Sequence, residues 1–112
     1  MDAIQLIRDH EKHVLADSAE LNRIHAIRKL AKQHADDEAV QLASLHSLRR
    51  VFTHLLDSGV FARLFSQEDR TAHSWLVKQY ALFKSQLLEW IQTNQDKLVA
   101  PSIRTLIEVL SA

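Results

Sequence analysis

The sequence predicts an all-α protein whose helices, about five in number, are arranged as the paired repeats of an α-solenoid. Its 112 residues include one glycine and one proline, whereas a β-rich chain needs such turn residues every few positions. Apolar residues make up 46% of the chain and recur at the three- and four-residue spacing of helices. The length is that of one domain, so we expect a single domain over residues 1–112.

The composition excludes several classes of protein. There is no cysteine, which excludes disulfides and thiolate chemistry. The 14 Lys and Arg residues balance the 14 Asp and Glu residues, so a globally basic nucleic-acid binder is not indicated. No apolar run approaches the ~20 residues that cross a bilayer, and the N-terminus lacks the pattern of a signal peptide. We expect no membrane partner.

The first two helices are predicted from their apolar spacing and from capping residues. The N-terminal helix covers about residues 2–16 and has few apolar positions. Asp17 and Ser18 are suited to cap the next helix, because a short side-chain oxygen accepts a free N–H at a helix start. That second helix covers about residues 19–33, and one face of it is apolar: Leu21, Ile24, Ile27, Leu30 and Ala31.

The third helix, about residues 38–56, is predicted to be covered on two sides. Asp36 and Asp37 precede it as capping residues. Its apolar residues span more than half of the circumference, which is typical of a helix between two neighbours. Gly59 is expected to end this segment, since glycine adopts the left-handed conformation at little cost.

A connector at residues 60–70 leads to two further helices. The fourth covers about residues 71–93, with a main apolar face of Leu76, Val77, Tyr80, Phe83, Leu87, Leu88, Trp90 and Ile91. The fifth covers about residues 101–110 and starts with Pro101 in its first turn, where no N–H is needed. Its predicted apolar face is Ile103, Leu106, Ile107 and Leu110.

These helices form two pairs of the size found in α-solenoids, at about residues 19–56 and about residues 71–110. The last repeat of a solenoid normally has a polar outer face, whereas this chain ends on an apolar helix. We therefore expect the N-terminal piece of a longer solenoid. The alternative is a self-contained five-helix domain that acts as a protein-binding adaptor.

The residues give no indication of catalysis. His10 and His13 are three apart, which is not the His-Glu-x-x-His spacing of zinc enzymes. His46 and His54 flank Arg50, whose charge disfavours a metal, so solvated histidines are the better interpretation. No nucleophile elbow and no glycine-rich phosphate loop is present. We predict that the protein is not an enzyme and that it uses no cofactor, metal or small-molecule ligand.

Two surfaces are candidates for binding. His25, Arg28, Lys29 and Lys32 lie on one side of the second helix, opposite its apolar face, and would suit RNA phosphates. An ordinary solvated helix face is the competing and favoured interpretation. Trp75 and Leu82 share a stripe of the fourth helix away from its main apolar face. They are either covered by a neighbouring segment or part of a partner surface, since large aromatic residues anchor interfaces.

Three segments together resemble a known family. The run LHSLRRVFTHLLDSGVF is followed by WLVKQY and then by VAPSIRTLIEVL. In this order and spacing, over about residues 20–112, the chain resembles the N-terminal region of nucleolar complex 4-type proteins of the CCAAT-binding-factor/nucleolar-complex family. Nothing in the chain corresponds to the domain that defines that family, which lies later in its full-length members.

The resemblance implies a HEAT-like α-solenoid in a nucleolar assembly factor of the small ribosomal subunit. Such a protein is a non-catalytic scaffold in pre-ribosomes, located in the nucleolus and nucleus. The partners that it implies are other nucleolar assembly factors, nucleolar protein 14 among them, and pre-ribosomal RNA is a possible further contact. The missing later domain leaves open whether this segment itself contacts nucleolar protein 14.

Overall fold

Six α-helices make up most of the computed structural model, which describes residues 2–66, 70–93 and 96–111. A 3-10 turn, Ser18–Glu20, separates the first two helices, and these described residues contain no β-strand. The all-α prediction is confirmed, with one helix more than expected. The helices are α1 (Ala3–Ala16), α2 (Arg23–Gln33), α3 (Glu38–Asp57), α4 (Val60–Ser66), α5 (Arg70–Gln92) and α6 (Asp96–Ser111).

Aspartates cap two of the helices. The Asp2 side chain accepts a hydrogen bond from the Gln5 amide at 2.8 Å, and Asp37 caps α3 as predicted. Asp17 instead accepts from the Ala19 amide at 2.9 Å, so it caps the 3-10 turn. This turn takes up the residues that were expected to begin the second helix. As a result, α2 begins at Arg23 rather than at residue 19.

Gly59 lies just past the end of α3 with φ +76°, the left-handed conformation that was predicted for it. The connector that follows is not irregular, because residues 60–66 form α4. Val60 is buried, and the ring of Phe61 lies 5.7 Å from the ring of Tyr80, centroid to centroid. The apolar face of this short helix therefore packs against α5, and this packing explains why the segment is helical.

The last helix begins five residues earlier than predicted. It starts at Asp96, so Pro101 lies inside α6 rather than in its first turn. Proline has no N–H, and the carbonyl of Lys97 therefore lacks its usual helical partner. Leu98 is fully buried in this first part of α6. Burial of a leucine contributes ~1.5–3 kcal/mol, which offsets the one lost hydrogen bond.

The third helix lies at the centre of the structure. It packs against α1 and α2 on one side and against α4, α5 and α6 on the other, as its broad apolar circumference predicted. The ring of Phe52 stacks on Phe83 of α5, with centroids 5.3 Å apart. The described residues extend over 41 × 32 × 19 Å. The shortest dimension corresponds to two layers of helices, because packed helix axes lie ~8–10 Å apart.

The predicted inner faces of the last two helices were partly wrong. On α5, Val77 and Leu88 are exposed and Gln79 is buried in their place. On α6 the difference is larger, because three of the four predicted core residues are exposed. The inner face of α6 is instead its less apolar one. That buried face consists of Leu98, Ser102, Thr105 and Val109.

Candidate interaction surfaces

An apolar stripe runs along the outside of α6. Ile103, Ile107 and Leu110 are 43%, 62% and 68% exposed, respectively. Their spacing of four and then three residues places them on one side of the helix. We call these three residues the α6 stripe. Grouped apolar side chains on a protein surface are typical of an interaction site, whereas single ones need no explanation.

The inner face of α6 shows why the stripe is outside. The Tyr80 hydroxyl of α5 donates a hydrogen bond to the Val109 carbonyl at 3.2 Å, which fixes the rotation of α6 about its axis. The hydroxyls of Ser102 and Thr105 are buried, and neither has a hydrogen-bond partner in the described part of the chain. Two unsatisfied hydroxyls inside and three aliphatic side chains outside are the reverse of the usual distribution. The outer face of α6 is therefore a candidate interaction surface.

The four residues predicted to contact RNA do lie together. His25, Arg28, Lys29 and Lys32 line one shallow depression on α2, about 520 Å³ in volume. His25, Lys29 and Lys32 are exposed. Arg28 is half-buried, and its Nη1 donates to Oε1 of Gln79 on α5 at 2.9 Å. Burial lowers the pKa of Arg28, but a guanidinium stays charged at neutral pH. Arg28 therefore has a structural role, and its contact with RNA stays a prediction.

A groove that sequence analysis missed lies beside this depression. It has a volume of about 400 Å³ and is formed by residues of α2, α3 and α5. Gln41 and Leu48 of α3 line it, together with Phe83 and Trp90 of α5. Because its walls come from three helices that are distant in sequence, no local pattern could reveal it.

Trp75 and Leu82 of α5 are both half-buried. Trp75 packs against the edge of the hydrophobic core, so it is partly covered by the protein itself. These positions leave both residues partly accessible. Their role as a partner surface stays a prediction.

The side of α3 that carries His46 and Arg50 is less solvated than the sequence suggested. Arg50 binds Glu11 of α1 through two hydrogen bonds, of 2.7 and 2.8 Å. His46 is half-buried, and its Nδ1 is enclosed without a hydrogen-bond partner among the described residues. Burial lowers the pKa of His46, and the nearby Arg49, Arg50 and Arg104 lower it further. A solvated histidine face was therefore the wrong interpretation at this end of α3.

The described residues form neither a metal site nor a membrane span. Across residues 2–66, 70–93 and 96–111, no three His, Asp or Glu side chains are placed to hold a metal ion together. None of the helices described is long and apolar enough to cross a membrane.

A chain of successive α-helices that packs in layers, with an apolar stripe left exposed on its last described helix, is typical of helical-repeat proteins. The family described as nucleolar complex protein 4-like, TPR repeats, matches residues 2–112, and the chain belongs to this family. No curated protein and no solved structure matches the chain. The family match confirms the resemblance and the helical-repeat fold, although its repeats are named TPR where the sequence analysis expected HEAT-like ones. Proteins of this family are generally non-catalytic.

Proposed function

We propose that this protein is a scaffold in the assembly of the small ribosomal subunit, acting in the nucleolus through protein–protein contacts within pre-ribosomes. Membership in the nucleolar complex protein 4-like family supports the setting. The α6 stripe supports the mode of action, and it is the single observation that carries the proposal. Nucleolar protein 14 is the partner that the resemblance favours.

The occupant that we propose for the α6 stripe is a helix of another assembly factor. Residues at spacings of four and three form a ridge that fits the groove of a second helix. Arg104 and Glu108 are exposed beside the stripe and supply charges of both signs at its margin. An apolar centre with a polar margin is the usual anatomy of a protein interface. A second copy of this chain and another segment of the same protein are the competing occupants.

The test is affinity purification of pre-ribosomal particles through the tagged native protein. Small-subunit precursor RNA and assembly factors, nucleolar protein 14 among them, should co-purify with the wild type. The double variant Ile107→Arg/Leu110→Arg should lose one or more of these factors, because charges on the ridge oppose burial. Its circular dichroism and thermal unfolding should stay close to wild type, since both side chains are exposed.

Phe65→Arg is the matched control, because Phe65 of α4 is a large apolar side chain that is 71% exposed. It should leave co-purification unchanged. Absence of pre-ribosomal components from the wild-type purification would reject the scaffold proposal and favour an adaptor outside ribosomes. A dimer that dissociates only in the α6 variant would instead assign the stripe to self-association.

A second candidate function is RNA contact through the α2 depression, because three of its four basic side chains are exposed on one surface. One pair of substitutions for this test is Arg28→Glu with Lys32→Glu. Arg28 also donates a hydrogen bond to Gln79, so its replacement would disturb the fold as well as the surface. Lys29→Glu with Lys32→Glu changes only exposed side chains and is the better pair. RNA affinity and its salt dependence should both fall in that variant. Unchanged binding would leave the depression as a solvated helix face.

A further inference from the structure

A small cavity lined by hydrogen-bond donors lies between α1 and α3 and shares no lining residue with the α6 stripe or the α2 depression. Its volume is about 180 Å³, and it is lined by Ile7, Arg8, Ala43, His46, Ser47 and Arg50. A water molecule takes up ~30 Å³ in the liquid, so there is room for a tetrahedral anion. The polar lining consists of two guanidinium groups, an imidazole and a hydroxyl. All of these are able to donate hydrogen bonds.

The guanidinium of Arg50 is held in place by Glu11 and still has donors to spare. Its Nε and Nη2 each donate a hydrogen bond to the Glu11 carboxylate. Both hydrogens of Nη1 therefore take no part in this pair. Arg8 is exposed, and the described residues contain no acid in an ion pair with it. The cavity therefore combines one pre-oriented arginine with one uncommitted arginine.

Positive charge continues beyond the cavity onto three helices. Lys12 of α1 lies beside Arg8 and Arg50, and Arg49 of α3 and Arg104 of α6 lie close enough to His46 to influence its charge. The acids facing this region are Glu11, which is bound to Arg50, and Glu108, whose 3.5 Å contact with Arg49 is partly exposed. Five basic side chains therefore face two acidic ones, so the region as a whole is positive.

His46 adds a group whose charge would respond to an anion. The residue lines the cavity, and its Nδ1 is enclosed without a hydrogen-bond partner among the described residues. Burial and three arginines (Arg49, Arg50 and Arg104) hold its pKa below the ordinary value, so it is neutral at neutral pH. The charged groups around it are Arg8 from α1, Arg49 and Arg50 from α3, and Arg104 from α6. A bound anion would offset the arginine charges and favour the protonated ring.

We propose that this α1–α3 cavity binds a phosphate group of an RNA backbone, with Arg8 and Arg50 as its principal donors. RNA is favoured over a phosphorylated peptide because the cations extend over α1, α3 and α6, which suits the consecutive phosphates of a chain. Contacts to phosphates carry no sequence information, so we expect binding that is independent of sequence. This proposal rests on the proposed ribosomal function only in taking pre-ribosomal RNA as the RNA that binds.

Fluorescence anisotropy of the 112-residue chain with short single-stranded RNAs is the direct test. Arg8→Gln and Arg104→Gln should each weaken binding several-fold, and equally for RNAs of different sequence. Each should also reduce the slope of log affinity against log salt by ~0.7, the value for one lost phosphate contact on a single strand. Both side chains are exposed, so the variants should fold as the wild type does.

Lys78→Gln is the control, because Lys78 is an exposed cation on α5 and the variant loses the same charge. If Arg8→Gln or Arg104→Gln weakens binding no more than Lys78→Gln, the proposal is wrong. Binding of a phosphoserine peptide that depends on Arg8, without RNA binding, would overturn the choice of RNA.

A second measurement follows His46 itself by NMR. At constant pH and ionic strength, replacing chloride by inorganic phosphate should shift the ring resonances of His46 and leave those of His54 in place. His54 is the internal reference, since it is exposed further along the same helix. No shift at His46 would count against the cavity. This result is separable from the scaffold proposal, because loss of the cavity leaves the α6 stripe and its co-purification test unaffected.

Discussion

Arg50 and Glu11, which lie 39 residues apart in the chain, form a two-point ion pair that joins α3 to α1. The Nε–Oε2 distance is 2.7 Å and the Nη2–Oε1 distance is 2.8 Å. The Glu11 side chain is 12% exposed and that of Arg50 is 44% exposed. Burial by itself raises the pKa of Glu11, but the hydrogen bonds from Arg50, with smaller help from Ser47 and Arg49, lower it overall. The carboxylate is therefore charged in the folded protein and depends on its partner.

Removal of Arg50 should destabilise the protein. Arg50→Met leaves the Glu11 carboxylate buried without its main donor, which costs ~3–5 kcal/mol in a fully buried pair. Because the guanidinium is half-exposed, we expect a loss of about 2 kcal/mol in the free energy of unfolding, measured with urea. Glu20→Gln is the control, since it breaks the more exposed Glu20–Arg23 pair, and it should cost at most ~1 kcal/mol. Equal costs for the two variants would contradict the role given to the Arg50–Glu11 pair.

The same pair predicts a pH dependence. The pKa of Glu11 is lower in the folded chain than in the unfolded chain, so the unfolded chain binds more protons on acidification. Its contribution to stability is complete above the unfolded pKa of ~4.3 and is lost as pH falls through the folded pKa. Urea unfolding of wild type and Glu11→Gln should therefore differ more at pH 6 than at pH 3. A difference that stays constant across this range would show that the Glu11 charge contributes nothing.

Five of the six described helices could be predicted because they depend mainly on local pattern. The apolar circumference of α3 indicated neighbours on both sides, and the single glycine at residue 59 was expected in the left-handed conformation that it adopts. The helical form of residues 60–66 was missed, because it depends on the packing of Phe61 against Tyr80. Contacts between distant segments supply information that a periodic pattern does not contain.

The surfaces were harder to predict than the helices, for the same reason. The α6 face was judged by apolarity alone, yet the helix buries Thr105 and exposes Ile107. Which face turns inward is decided by the shape of α3 and α5 and by the Tyr80–Val109 hydrogen bond. The basic residues of α2 were found because they are neighbours on one helix. The α1–α3 cavity was missed because Arg8 and His46 come from different helices.

The orientation of α6 can be tested with one substitution on its buried face and one on its exposed face. Thr105→Val replaces a buried, unpartnered hydroxyl by a methyl group of similar shape, so it should stabilise the chain by about 1 kcal/mol. Ile107→Ala removes an exposed side chain and should change the free energy of unfolding by less than ~0.5 kcal/mol. If α6 instead buried the predicted face, Ile107→Ala would cost ~2–5 kcal/mol. Thermal unfolding of the two variants separates these orientations.

Trp75 and Leu82 can be assigned by comparing stability with binding. Trp75 packs on the edge of the core and is half-buried, so Trp75→Ala should cost about 2 kcal/mol, less than the ~3–5 of a fully buried tryptophan. Leu82→Ala should cost less, because a leucine loses less apolar surface on truncation than a tryptophan does. Both variants are then used in the pre-ribosome purification. Loss of a factor in Leu82→Ala with near-native stability would establish a partner surface there. Loss only in Trp75→Ala, in proportion to its unfolding, would assign Trp75 to the core, because an unfolded scaffold loses every partner together.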